Sequence, residues 1–201
     1  EARRRFLDAG HYAPLAGRLA ELAAEREPLS WLDIGCGEGY YTGQLAAALP
    51  EAEGYALDIS REAVKRSAKR HPQITWLVAS MARLPLESAS LDLIASVFSP
   101  IDWHEAARVL RPGGRLMVLE FSQIPNDLMQ KAYDLYSFNI IPVMGQIVAK
   151  NREAYQYLAE SIRQFPKPED LADRIEAAGF DAAVYKVLSG GIACIHIGEK
   201  H

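Results

Sequence analysis

A single α/β domain is what this 201-residue sequence predicts, and three observations predict it. Nearly half of the residues, 49%, are apolar, which fills one core in a chain of this length and leaves too little for two comfortable ones. Short apolar runs of strand length alternate with helix-patterned stretches from about residue 30 onward. Between the first such strand and helix, Leu32-Asp33-Ile34-Gly35-Cys36-Gly37-Glu38-Gly39-Tyr40-Tyr41 places three glycines at alternate positions. Glycines are wanted where a turn adopts backbone conformations closed to most side chains and comes close to a bound molecule.

Taken in order, residues 1–25 read as helix, with Leu15, Leu19 and Leu22 recurring and Gly10 and Pro14 interrupting. Arg3-Arg4-Arg5 reads as a solvated face, the usual fate of a charge run. The first strand ends at Ile34, and the glycine turn opens a helix over residues 41–49. A second strand, 54–57, is followed by a helix over 60–69 with Ser60 as its N-cap and Ala63 three residues on. Strands follow at 75–78 and 91–97, and the latter delivers Phe98-Ser99-Pro100-Ile101-Asp102 to the carboxyl edge, where open α/β sheets bind ligands. A helix over 103–110 then turns at Arg111-Pro112-Gly113-Gly114 into a fifth strand, 115–121.

The charges around the glycine turn narrow the ligand. A dinucleotide fingerprint spaces its glycines G-x-G-x-x-G so that the pyrophosphate rests on the helix N-terminus. Here the third glycine arrives one residue early, and Glu38 stands where a phosphate would be repelled. With Asp33 it makes a pair of carboxylates at the mouth, which suits a ligand carrying an ammonium or sulfonium group and no phosphate. Asp58, at the tip of the second strand, is placed to accept hydrogen bonds from both hydroxyls of a ribose.

At this point the residues resemble the class I S-adenosylmethionine-dependent methyltransferases. The likeness lies in the glycine turn with Asp58, in Val78-Ala79-Ser80 and Leu84-Pro85, and in Leu91-Asp92-Leu93-Ile94 and Val109-Leu110-Arg111-Pro112-Gly113-Gly114-Arg115-Leu116. It implies a three-layer, Rossmann-like sheet of about seven strands, mostly parallel with the last antiparallel and helices on both faces. It also implies S-adenosyl-L-methionine as cofactor, S-adenosyl-L-homocysteine as product, and a cofactor site of Tyr12, Asp33, Gly35, Gly37, Glu38, Gly39, Asp58, Ile59, Ser80, Met81 and Val97.

Within that class the front half, Phe6 to Leu15 together with Asp33 to Thr42, resembles the large-subunit ribosomal RNA guanine-N1 methyltransferases, which imply Tyr12 as a lid over the methionine end of the cofactor. An ordinary core tyrosine is the alternative. Ser80 and Met81 flank the adenine by the same resemblance, or simply turn the chain. The back half looks like the ubiquinone/menaquinone-biosynthesis C-methyltransferases, in Leu119-Glu120-Phe121-Ser122, Lys131-Ala132-Tyr133-Asp134-Leu135-Tyr136-Ser137-Phe138 and Tyr155-Gln156-Tyr157-Leu158, a helix over 168–179 and closing strands 181–188 and 191–197. A seam near residues 111–115, a turn shared by both families, would mark a chimera made by recombination, construction or an ancestral-type sequence. The chain departs from both families, with no N-terminal zinc module and with Phe98-Ser99-Pro100-Ile101-Asp102 where the quinone enzymes carry Phe-Gly-x-Arg-Asn.

Residues 123–166 form an acceptor-side helical insertion within the one domain, 1–201. Leu128, Ala132, Leu135 and Tyr136 fall on one apolar helix face that either covers an aromatic acceptor and touches a membrane surface peripherally, or packs on the sheet. Phe98, Tyr133, Tyr136 and Tyr155 are the acceptor-side candidates. Ring methylation needs a base, for which His11, His104 and Asp102 lie near the expected edge without an assigned role. A small aromatic acceptor of the quinone or phenol type is expected. The alternatives are a ribosomal RNA guanine methyltransferase core and a cofactor-binding scaffold with little turnover.

A net charge of −4 gives nucleic acid no global attraction. The two cysteines, Cys36 and Cys194, make neither a disulfide framework nor a zinc set, so no metal and a reducing cytoplasm are expected. No apolar run approaches the roughly twenty residues of a membrane span, and no signal peptide is visible. The chain starts at Glu1 rather than Met, so further residues can precede it.

Overall fold

Every residue of β1 (Ser30–Ile34) is buried, as a strand covered by helices on both faces must be. The computed structural model describes Gly10 and residues 12–122 and 165–201, and within them β1 lies near the middle of a seven-stranded sheet. The chain runs α1 (Ala13–Ala24), β1, α2 (Tyr40–Ala48), β2 (Glu53–Asp58), α3 (Arg61–Arg70), β3 (Thr75–Val78), β4 (Leu91–Val97), α4 (Trp103–Val109), β5 (Leu110–Phe121), α5 (Pro168–Ala177), β6 (Phe180–Leu188) and β7 (Ala193–Lys200). In space the strands lie in the order β3-β2-β1-β4-β5-β7-β6. All neighbours are parallel except the two pairs made by β7, which runs antiparallel to both β5 and β6.

The strand alternation divides the core between two faces. Trp31, Leu93, Ala95 and Met117 meet Leu19 and Leu22 of α1 and Leu45 of α2. Leu32, Ile34, Ile94 and Leu116 meet Val109 of α4 and Leu171 and Ile175 of α5. Trp31 is fully buried, and its ring closes over Gly54, where an added Cβ would lie 2.5 Å from Trp31 Cζ2. Successive strands step away from β1 toward β3 and, from β4, the other way, so the crevice at the carboxyl ends of β1 and β4 is the switch point where such sheets hold ligands.

Three boundaries differ from the sequence expectation. Pro14 stands in the first turn of α1 rather than interrupting a helix, because the backbone N–H it lacks has no partner there anyway. Strand β5 starts at Leu110, which pairs with Leu91 before a register shift, and α4 therefore stops at Val109. The expected helix over 1–25 is described only from Ala13. The insertion 123–166 lies almost wholly outside the described residues, and with it Tyr133, Tyr136 and Tyr155; so does His11. Among the described residues no helix is long and apolar enough to cross a membrane.

Candidate functional site

The glycine turn is fastened to the tip of β2 by backbone and by one carboxylate. Gly35 and Cys36 N–H both donate to the carbonyl of Leu57, at 2.8 and 3.0 Å. Asp58 takes the Gly37 N–H on one oxygen at 2.8 Å and the Ser60 N–H on the other at 2.7 Å. Ser60 in turn caps α3, its hydroxyl accepting from Ala63 N–H at 3.3 Å as the sequence predicts. Gly37 holds φ +52° and an added Cβ there would meet nothing within 4 Å, so the turn presents an open backbone face. Gly39 ends the turn at φ 78° as the residue before α2.

Beside that face lies a cavity of about 310 Å³. It gathers Asp33, Gly35, Gly37, Glu38, Asp58 and Val97 of the expected site and adds Cys36, Tyr40, Tyr41, Ser60 and Ala63. The two carboxylates expected at the mouth, Asp33 and Glu38, are not equivalent. Asp33 is 1% exposed, because odd positions of β1 face α2, and the Thr42 hydroxyl of that helix donates to it at 2.5 Å. Burial pushes its carboxyl from 3.8 up to about 7; the Thr42 hydrogen bond opposes this and the nearby charge of Asp58 adds to it.

A carboxyl raised in this way holds a proton that the unfolded chain has released. Its contribution to stability is therefore full below pH 3.8 and is lost as pH rises toward 7, a cost of about 4 kcal/mol above that range. Asp33→Asn is expected to flatten the dependence and to leave the ligand-free variant more stable than the wild type at pH 8. Urea unfolding at acid and alkaline pH measures it, and parallel profiles for the two proteins would refute the assignment.

Glu38 behaves differently. One of its oxygens is buried and takes no hydrogen bond among the described residues, while the other lies 3.5 Å from Arg66 of α3. Arg70, one helical turn later, donates to the Glu38 carbonyl at 3.1 Å. The turn thus offers an unused acceptor to whatever occupies the cavity.

Of the other expected cofactor residues, Tyr12 meets Phe98, the first of the acceptor-side candidates. Phe98 holds a strained φ of 50°, stacks on Phe121 with ring centroids 4.3 Å apart, and meets Tyr12 and Tyr41 edge-on at 6.0 and 6.2 Å. Tyr12 also packs against the α1-side core. Ile59 is 79% exposed beside Asp58. Ser80 Oγ accepts from Ala82 N–H within its own turn, and Met81 packs against the opposite core; neither lines the cavity.

The two candidate bases within the described residues, Asp102 and His104, do not line the cavity. Asp102 is the N-cap of α4, accepting from Glu105 N–H at 3.0 Å, and His104 is exposed on that helix. Glu120, absent from the expected site, is a 9% exposed carboxyl at the end of β5 that burial raises to about 7, with the N–H groups of Phe121 and Ser99 pulling the other way. An acid inside the apolar run Leu116 to Phe121 was the available signal.

A family model described as the ubiE/COQ5 methyltransferase family matches residues 15–200. A ubiquinone/menaquinone biosynthesis C-methyltransferase UbiE of Dinoroseobacter shibae is 44% identical over 195 residues, covering 90% of this chain and 76% of that relative. Among solved structures, a SAM-dependent methyltransferase from Aquifex aeolicus aligns with TM-score 0.58 at 17% identity, over 90% of this chain and 89% of that one. Human N-acetylserotonin methyltransferase in complex with SAM aligns with TM-score 0.61 at 20% identity, over 92% and 51% of the two chains. The structural likenesses are of fold. The family match crosses residues 111–115, so the expected seam and ribosomal-RNA-type front half find no support: one family accounts for both halves.

Proposed function

Because this chain belongs to the ubiE/COQ5 methyltransferase family, we propose that it moves a methyl group from S-adenosyl-L-methionine to a ring carbon of a quinone- or phenol-type acceptor. The observation that carries the reading is the 44% identity with a quinone C-methyltransferase across 90% of the chain. The donor set of the cavity fits the cofactor. Its carboxylates match a cationic molecule without phosphate, the buried Glu38 oxygen lacks a donor among the described residues, and the face above Gly37 is open.

When bound, the cofactor supplies a methyl on a positively charged sulfur. Asp58 accepts from ribose hydroxyls while its backbone partners keep it aimed, and each of its oxygens retains a lone pair for this after bonding Gly37 and Ser60. Asp33, beneath the turn, favours the cationic end, which in turn favours its ionised form. Phe98, stacked on Phe121 and met by Tyr12 and Tyr41, belongs to an aromatic cluster that gives an aromatic acceptor an apolar side to pack on. Holding two partners in line supplies much of the rate of such a displacement. Attack by a ring carbon needs the neighbouring phenol deprotonated, and a carboxyl near pKa 7 suits that role; Glu120 is such a group beside the turn that carries Phe98. A cytoplasmic location with peripheral access to a membrane-borne acceptor accords with this chemistry.

Incubation with methyl-labelled cofactor and a prenylated phenol tests the proposal. Label is expected on a ring carbon of the product. Tight cofactor binding with no labelled phenol would favour a scaffold, and selective binding of NAD or ATP in the cavity would overturn the cofactor reading as well.

A further inference from the structure

Helix α3 concentrates positive charge on an acidic protein. Its ten residues, Arg-Glu-Ala-Val-Lys-Arg-Ser-Ala-Lys-Arg, carry five cations and one anion, a local +4 in a chain whose total is −4. The remaining residues therefore sum to −8.

The five cations fall into two groups. Arg66 and Arg70 hold the glycine turn through the Glu38 side chain and carbonyl. Arg61, Lys65 and Lys69 follow at i, i+4 and i+8, so they share one stripe about 12 Å long on the helix surface. All three are exposed, and none has an ion pair among the described residues. The buried positions Val64 and Ser67 face the other way, onto the sheet.

The stripe serves the fold only in part. Lys69 stands in the last turn, where the helix dipole favours a cation, but Arg61 stands at the N-terminal end, where it is disfavoured, and like charges at i, i+4 destabilise a helix. We propose that Arg61, Lys65 and Lys69 form a docking stripe for an anionic phospholipid surface. The choice of lipid rests on the quinone-type reading above, since a prenylated acceptor partitions into a bilayer and an enzyme that methylates it gains from residing there. Nucleic acid fits less well, because the stripe bears no aromatic side chain for base stacking. Each cation near an anionic membrane surface strengthens binding several-fold, so the three together are worth on the order of a hundredfold.

Flotation of the full chain with phosphatidylcholine vesicles, with and without phosphatidylglycerol, tests the stripe. Binding is expected only to the anionic vesicles and is expected to weaken in high salt. The triple variant Arg61→Gln, Lys65→Gln, Lys69→Gln should lose about a hundredfold in partitioning. A charge-matched control, Lys167→Gln, Arg174→Gln, Lys186→Gln, should bind nearly as the parent does; all three of its positions are exposed and lie off α3. Equal losses in the two triple variants, equal binding to neutral vesicles, or tighter binding to polyuridylate than to anionic vesicles would each overturn the proposal. Turnover of a water-soluble phenol should be the same in the stripe variant and the parent. If no phenol is methylated by either protein while the stripe variant alone loses vesicle binding, the acceptor assignment fails and the docking stripe stands.

Discussion

Asp58→Ala is expected to weaken S-adenosylhomocysteine binding about a hundredfold, measured by calorimetry. The carboxylate serves two masters, accepting from Gly37 N–H at 2.8 Å and Ser60 N–H at 2.7 Å while facing the cavity. Removing it deletes an acceptor for the ligand and leaves two backbone donors unpaired, at roughly 1.5–3 kcal/mol for a hydrogen bond to a charged group. Part of the loss is indirect, because the turn is no longer held at its middle glycine. Asp58→Asn, which keeps one acceptor oxygen, is expected to fall between the two. Affinity equal to the wild type in the alanine variant would remove Asp58 from the site.

Gly35→Ala is expected to cost both stability and cofactor affinity. Its φ of +71° is left-handed, and an added Cβ would lie 1.9 Å from Ser99 Oγ and 2.5 Å from Ser99 Cβ. Backbone strain of about 1–3 kcal/mol for a non-glycine residue there joins overpacking of about 1–3 kcal/mol. Ser99 belongs to the turn that carries Phe98, so the clash pushes the cofactor side against the acceptor side. Gly37→Ala is the useful contrast: its Cβ meets no protein atom within 4 Å, and only the backbone conformation resists it. In that variant thermal stability should fall modestly and ligand affinity steeply. Equal modest losses in both variants would mean that the space above Gly37 is not where the ligand lies.

Much of the edge that forms this site is legible in the sequence. The alternate glycines, the acid at the tip of the second strand and the Ser60 cap are local patterns, and each is found where its spacing implies. Strands β3 and β4 match their expected limits for the same reason, since apolar runs bounded by turn residues are read from neighbours in the chain. The separate origins expected for the two halves rested on short resemblances, and one family spans them both.

What the chain's own pattern determines, then, is where the backbone must bend and which acids stand at the bends, because steric limits and strand or helix periodicity act over a few residues. What only the tertiary structure decides is the state of those acids. Asp33 becomes a group that titrates near pH 7 because β1 is enclosed between β2 and β4 and roofed by α2, with Thr42 its hydrogen-bond donor. Asp102 becomes a helix cap, Glu120 a desolvated carboxyl, and the α3 cations divide into three exposed and two tied to the glycine turn. Loss of water and the arrival of partners depend on segments far apart in sequence, and those are properties of the packed sheet.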